Sequence, residues 1–237
     1  MRGLMTKAII LCGGKGTRLR PYTYILPKPM LTLGRKPILE FVVRNLKRSG
    51  IKDFIFTVGY LKESIKEYFG DGRKFGVKIT YLDEEDEMNT AGSILPARGL
   101  IKDTFVVMMG DLLTVLDIKK MMAFHRKKGN IVTIGLKRQG LPLEYGIAKV
   151  KDDAIVEFNE KPILEHFVNS GIYVFEPEIF NYIGKNDDFA RNVFPKLLKK
   201  RKKITGYTFD DYWVDIGRIR DYERLDMIVS IADMVKA

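Results

Sequence analysis

The sequence predicts an α/β fold: a mixed, mostly parallel sheet with helices on both faces. Three observations carry this expectation. Short apolar runs of strand length alternate with helical runs from residue 7 to residue 136. The first apolar run, Ala8-Ile9-Ile10-Leu11-Cys12, stops at a pair of glycines. After Leu136 the style changes to strand-like runs with no long helix between them. Repeated strand, helix, strand units set parallel strands side by side under helices. A meander of strands forms an antiparallel edge or a small lid.

The elements follow in order. Residues 7–12 read as a buried strand. Residues 37–49 read as a helix: Ile38, Phe41, Val42 and Leu46 fall near one face, Pro37 suits a first-turn position, and Gly50 follows as a stop. Residues 53–58 form a second strand, 62–69 a short helix ended by Gly70, and 77–82 a third strand. A short helix over 91–98 leads to a fourth strand, 104–109, which ends at Gly110-Asp111. Residues 117–128 form a helix and 131–136 a fifth strand. Residues 147–150, 154–158 and 168–175 are the later strands. Helices return at about 190–199 and from Arg220 onward. The whole is Rossmann-like, with a small antiparallel subregion. It is expected to be one domain over 1–237, with halves at about 1–136 and 137–237.

Composition narrows the chemistry. Hydrophobic residues make up 46% and charged residues 30% of the 237, as in a globular chain with a core. No apolar run reaches the roughly 18 residues of a membrane span. The run before Gly13 is too short for a signal-peptide core, so a cytoplasmic location is the default expectation. Met5 is read as the natural start, since Arg2 to Leu4 add nothing to the pattern. The single cysteine, Cys12, excludes an internal disulfide and a cysteine-rich zinc site. Only His125 and His166 are present, so a metal must be held by oxygen ligands, which suits Mg²⁺. The net charge of +11 suggests an anionic partner. The basic run Lys199-Lys200-Arg201-Lys202-Lys203 follows a helical stretch and reads as a solvated helix end, with no nucleic-acid or membrane partner implied.

Ligands of open α/β sheets bind beyond the carboxyl ends of the strands. The loop Gly13-Gly14-Lys15-Gly16-Thr17-Arg18 lies at such a place. Its glycines allow close approach, and its backbone N–H groups can form an anion-binding nest. Lys15, Arg18 and Arg20 add positive charge. The loop is neither a Walker A motif, since Gly16 follows Lys15, nor a dinucleotide fingerprint, since Leu19 stands where the third glycine belongs. Alone it does not separate a phosphate cradle from a tight turn, and the missing glycine argues against a dehydrogenase.

The residues that follow carry a resemblance. The loop continues through Leu19-Arg20-Pro21 and Thr23 to Pro27-Lys28-Pro29-Met30, Gly34 and Lys36-Pro37. Further blocks recur in order: Asn89-Thr90-Ala91-Gly92-Ser93, Gly110-Asp111, Glu144-Tyr145-Gly146, Glu157 to Pro162, Asn169 to Tyr173, and Val214-Asp215-Ile216-Gly217 with Asp221-Tyr222-Glu223. Over about residues 7 to 230 the chain resembles the sugar-phosphate nucleotidylyltransferases, in a short form similar to mannose- or heptose-phosphate guanylyltransferases and glucose-phosphate uridylyl- or thymidylyltransferases.

The resemblance implies transfer of a nucleotidyl group from a nucleoside triphosphate to a hexose 1-phosphate, with release of pyrophosphate. It implies a nucleotide site of Leu11, Gly13, Gly14, Lys15, Gly16, Thr17, Arg18, Glu84, Asn89 and Thr90. Arg18 and Lys28 would contact the triphosphate, and Lys161 the phosphate of the sugar 1-phosphate. Asp111 and Asp215 would hold Mg²⁺. Tyr145, Gly146, Glu160, Asn169 and Gly171 would recognise the sugar. The first half of the chain would bind nucleotide and the second the sugar phosphate.

The chemistry asks little of acid–base groups. A phosphate monoester, with a second pKa of about 6, is already charged at neutral pH, so the task is gathering anions and stabilising charge. Asn89 stands where the family usually has glycine, and Asn tolerates a left-handed backbone. Cys12 and Ser170 stand where alanine is usual. The alternative reading is a non-catalytic sensing or regulatory relative, but such proteins lose the metal and phosphate residues that are kept here. A homo-oligomer is expected by resemblance. The β-helix extension of longer relatives is expected to be absent.

Overall fold

The computed structural model describes residues 6–84 and 88–235; Met5 lies outside them. The strands are β1 (Lys7–Cys12), β2 (Thr32–Leu33), β3 (Lys36–Pro37), β4 (Asp53–Val58), β5 (Lys78–Asp83), β6 (Phe105–Met109), β7 (Leu112–Thr114), β8 (Val132–Pro142), β9 (Ile147–Lys151), β10 (Ala154–Asn159), β11 (Ile163–Phe175), β12 (Ile204–Phe209) and β13 (Trp213–Asp215). The helices are α1 (Ile38–Arg48), α2 (Lys62–Phe69), α3 (Asn89–Gly92), α4 (Ile118–Lys128), α5 (Phe194–Lys199) and α6 (Ile219–Val235). Seven strands form one sheet in the order β12-β8-β11-β6-β1-β4-β5. All neighbours pair in parallel except β11, which runs antiparallel to both β6 and β8.

Both faces of β1 are apolar because both are covered. Successive side chains of a strand point to opposite faces. Ala8, Ile10 and Cys12 join a core with Leu39, Val42 and Leu46 of α1, Ile65 and Phe69 of α2, and Met121 of α4. Ile9 and Leu11 join a second core with Ala91, Ile94, Phe189 and Leu197 on the other face. The helix ends follow ordinary capping chemistry. Asp117 accepts the Lys120 amide at the start of α4, and Gly129, with φ 57°, closes it.

Several expectations need correction. Residues 168–175 do not make an edge; they belong to β11, which lies inside the main sheet and is buried on both faces through Ile172, Tyr173, Val174 and Phe175. The expected helix over 91–98 divides into α3 and a 3-10 stretch, Leu95–Leu100. Pro96 has no N–H to continue the helix, and the amides of Ala91 and Gly92 bond the Asp187 carbonyl instead. The stretch 190–199 divides into a π-turn, Phe189–Val193, and α5. Pro37 is the cap residue before α1 and not its first turn, because it pairs with Thr32 in the β2–β3 ladder. Strand β12 and the short β2–β3 and β7–β13 pairs were not expected.

This topology gathers one edge. The carboxyl ends of β1, β4, β5 and β6 deliver Gly13, Gly59, Glu84 and Gly110-Asp111 to it. Because β11 enters from the opposite direction, with Ile172 opposite Met108, its residues Asn169 to Gly171 arrive at the same edge. Beyond the edge β8 and β11 continue as a two-stranded arm, from Leu136 opposite Asn169 to Pro142 opposite Ile163. The β9–β10 hairpin extends this arm.

His125 is packed under the sheet, 1% exposed, with Nδ1 2.8 Å from Thr133 Oγ1 and Nε2 3.1 Å from Glu176 Oε1. Burial pushes its pKa below the usual histidine value, and Glu176 opposes that push only in part. As pH falls below about 6.5, the unfolded chain takes up a proton at this ring before the folded chain does. Stability is therefore lost as pH falls through that window toward the folded pKa. The urea midpoint is expected to drop between pH 7 and pH 5, and His125→Gln to reduce that drop. Equal drops in the two proteins would refute the assignment.

Candidate active site

The loop after β1 is a chain of three 3-10 turns, Thr17–Leu19, Tyr22–Tyr24 and Lys28–Met30. Gly16 turns it with φ 60°, and a Cβ there would sit 3.0 Å from Thr23 Cγ2 and 3.1 Å from Lys28 Cβ. The Thr23 hydroxyl donates to the Gly16 carbonyl at 3.0 Å, and the Tyr60 hydroxyl donates to the Thr23 carbonyl at 2.9 Å. Leu19 is buried in a third core with Leu31, Leu33, Ile38, Ile216 and Tyr222. From α6, the Tyr222 hydroxyl donates to the Thr32 carbonyl, and Asp226 accepts the Gly34 amide. The loop is thus braced from both ends, with Lys15 and Arg18 exposed on its surface.

Two cavities flank the glycines. The first, about 270 Å³, is bordered by Gly14, Gly16, Arg18, Lys28, Asp111 and Gly217. The second, about 300 Å³, is bordered by Gly13, Glu84, Asn89, Thr90 and Ser93. Leu11, Gly14 and Met109 line both, so the two cavities meet under the loop.

The first cavity is organised by Lys28, which is only 7% exposed. Its Nζ lies 2.5 Å from Asp111 Oδ2 and 3.1 Å from Asp215 Oδ1. Asp111 follows β6, and β7 then turns to pair antiparallel with β13, with Asp215 opposite Leu112. That short ladder brings together two carboxylates that are distant in sequence. An ammonium touching both marks a single cation position. Two carboxylates completed by phosphate oxygens and water are a usual Mg²⁺ ligand set. Among the described residues no group of three or more His, Cys, Asp or Glu side chains could hold a metal, so further ligands would have to come from substrate or solvent. The Arg18 guanidinium lies over Gly217, where a Cβ would meet Nη1 at 3.4 Å.

In the second cavity the Glu84 carboxylate lies against Gly13: a Cβ on Gly13 would stand 2.7 Å from both oxygens. Asn89 adopts φ 53°, the left-handed backbone expected of it, and its carboxamide donates to the Asn186 carbonyl at 2.9 Å. Cys12 borders the first cavity, and burial, with Asp111 and Glu84 nearby, pushes its thiol pKa well up. It is therefore a packing residue and not a thiolate nucleophile.

The remaining residues separate into two groups. Asn169 and Gly171 lie at the strand-end edge. The Asn169 carboxamide is engaged within its own turn, donating to the Tyr173 hydroxyl and accepting the Gly171 amide. Gly171 has φ 73° and faces Met109, where a Cβ would meet Cγ at 2.8 Å. Tyr145, Gly146, Glu160 and Lys161 lie on the arm. Gly146 packs against Glu160 and Phe158, Tyr145 is 80% exposed, and Lys161 is exposed with φ 45°. Met109, Met88, Ser93 and Gly217 line the cavities without having been singled out. Met109 was recognisable, since it ends a strand just before Gly110-Asp111; Ser93 and Gly217 lay within the ordered blocks, and Met88 carried no signal.

Known proteins share this fold and much of this sequence. The chain is 39% identical to a UTP–glucose-1-phosphate uridylyltransferase of Synechocystis sp., over 91% of this chain and 61% of that protein. It is 36% identical to a D-glycero-alpha-D-manno-heptose 1-phosphate guanylyltransferase of Campylobacter jejuni, over 91% of this chain and 96% of that protein. The chain thus spans less than two thirds of the Synechocystis protein's length. The crystal structure of HddC from Yersinia pseudotuberculosis superposes with a TM-score of 0.76 at 25% identity, covering 94% of this chain and 99% of that one. The nucleotidyl transferase family matches residues 7–230, nearly the whole chain, and the protein belongs to that family.

Proposed function

We propose that this protein transfers a nucleotidyl group from a nucleoside triphosphate to a sugar 1-phosphate, with Mg²⁺ as the metal. The observation that carries the reading is the cation position shared by Asp111 and Asp215 directly beneath the glycine loop. The names of the relatives support a sugar 1-phosphate as acceptor, and a hexose is the expected one.

A phosphate oxygen of the sugar 1-phosphate attacks the α-phosphorus of the triphosphate. A new P–O bond forms as the bond from the α-phosphorus to its bridging oxygen breaks, and pyrophosphate leaves with that oxygen. The nucleophile is already an anion at neutral pH, so no base is needed, and the buried His125 and protonated Cys12 have no part in the step. The chain's task is to hold several negative charges together. Loop amides from Gly13 to Thr17 meet phosphate oxygens. Arg18, whose planar fork can bind two oxygens, steadies the departing pyrophosphate, and Lys28, released from the two carboxylates once a metal takes its place, acts as a point charge on the phosphates. Asp111 and Asp215 would hold Mg²⁺, which supplies charge neutralisation between the phosphates of the two substrates. Lys161 on the arm would take the phosphate of the sugar 1-phosphate. Tyr145, Gly146 and Glu160 beside it would meet the sugar.

Pyrophosphate release with magnesium, measured over a panel of triphosphates and sugar 1-phosphates, is expected for at least one pair. No release from any pair overturns the proposal. Asp111→Asn is expected to lower turnover by about 100-fold or more, the scale of losing one strong electrostatic stabiliser; full activity in that variant would remove Asp111 from the site. Lys161→Ala is expected to raise KM for the sugar 1-phosphate by about tenfold while leaving KM for the triphosphate unchanged, as loss of one charge-assisted contact to the second substrate alone would do. A rise in both constants would place Lys161 elsewhere.

A further inference from the structure

One segment that the reaction above does not use packs against the turn that borders the second cavity. Residues 184–189 come from the far end of the chain, between the last strand of the arm and α5. They are bound to the turn Asn89–Gly92 by five hydrogen bonds: Ala91 and Gly92 amides to the Asp187 carbonyl, Asn89 Nδ2 to the Asn186 carbonyl, the Thr90 hydroxyl to Asp188 Oδ2, and the Phe189 amide to Thr90 Oγ1. The approach is close enough that a Cβ on Gly92 would overlap the Lys185 carbonyl oxygen.

Asp188 is the pivot of this contact. Its Oδ1 accepts the amides of Ala190 and Arg191, both at 2.9 Å, and so caps the following π-turn. Its Oδ2 accepts the Thr90 hydroxyl at 2.7 Å. Thr90 has one hydroxyl proton, and that proton is committed to Asp188, while the same oxygen accepts from Phe189 at 3.0 Å. The Thr90 side chain therefore has no donor left for a ligand in the cavity it borders. Asn89 likewise spends a carboxamide N–H on Asn186.

We infer that Asp188 is a positioning residue for the nucleobase side of the triphosphate site. It holds Thr90 and the left-handed Asn89 turn as a fixed wall of the second cavity, through a segment that lies outside the nucleotide-binding half expected from the sequence. This rests on the reading that a nucleoside triphosphate binds across the two cavities. The turn shapes the base pocket, and Asp188 acts through it without touching the nucleotide. The bond is charge-assisted, the stronger kind of hydrogen bond, and the turn it holds has only four helical residues of its own.

Calorimetric titration in magnesium buffer tests this. The full-length protein is titrated with the triphosphate it binds best and with tripolyphosphate, which has the same charged chain but no base. The variants are Asp188→Ala, Thr90→Val and the double variant; Thr90→Val leaves the Asp188 cap in place, so it remains informative if Asp188→Ala folds poorly. Each single variant is expected to weaken triphosphate binding by about tenfold, which is about 1.4 kcal/mol, and to leave tripolyphosphate within about twofold. The double variant is expected to be no weaker than the weaker single one, because both changes remove the same bond. Unchanged triphosphate binding, an equal loss for tripolyphosphate, or additive losses would each overturn the assignment. If the unsubstituted protein binds no triphosphate, the proposed function falls and this inference with it. If it binds triphosphate and the variants match it, only the role of Asp188 falls.

Discussion

Two carboxylates that share one small region repel each other unless a cation stands between them. In this protein the cation is the Lys28 ammonium, 2.5 Å from Asp111 and 3.1 Å from Asp215, and much of the fold serves that meeting. Lys28 comes from a loop with little regular structure, which holds its shape because Leu19 and Leu31 are buried beside Ile216 and Tyr222. Asp111 comes from the end of a central strand. Asp215 arrives through a three-residue ladder on β7. Removing the ammonium would leave two negative groups facing each other in a partly buried site, a costly arrangement without another cation. Under the proposed function, a metal would take the place of the ammonium between these two carboxylates.

The net charge of +11 points toward anions, yet several of the basic residues make ordinary surface contacts. In the run after α5, Lys202 pairs with Glu178 at 3.0 Å and Lys203 donates to the Lys128 carbonyl. Lys196, within α5, donates to the Tyr182 carbonyl. Lys62 and Lys66 both reach Asp83, and together they hold its carboxyl below the usual range. Exposed pairs of this kind contribute little, because water and salt screen them. The basic residues of the proposed site are fewer: Lys15, Arg18 and Lys28 on the glycine loop, and Lys161 on the arm. No helix among the described residues is long and apolar enough to cross a membrane.

Legibility in the sequence followed element length and covalent nearness. Strands β1, β4 and β6 were readable as apolar runs closed by polar or glycine residues, and α1 by the spacing of its apolar face. The two- and three-residue pairs β2–β3 and β7–β13 were not readable, since a period needs more residues than they have. The antiparallel insertion of β11 into the centre of the sheet was also hidden: a strand buried on both faces has the same composition whichever way it runs. Helices interrupted by Pro96 or replaced by a π-turn at Phe189 were found in place but not in form. Asn89 shows the reverse case, because its tolerance of a left-handed backbone was legible and φ is 53°.

The sequence by itself determined the alternation that makes an α/β sheet, the family, and the residue types needed for anion chemistry without a base. These are properties of local pattern and of ordered motifs, and they survive when the chain is read as a string. Tertiary structure alone decided which of those residues meet. It put Asp215 beside Asp111 and drew Lys28 between them, made Glu84 and Gly13 neighbours, and carried Tyr145, Glu160 and Lys161 out on an arm. It also brought Asp188 to Thr90. The physical reason is common to all of these: each contact joins segments far apart in the chain, and only the packing of the sheet, its two covering cores and the α6 clamp sets the distance between them.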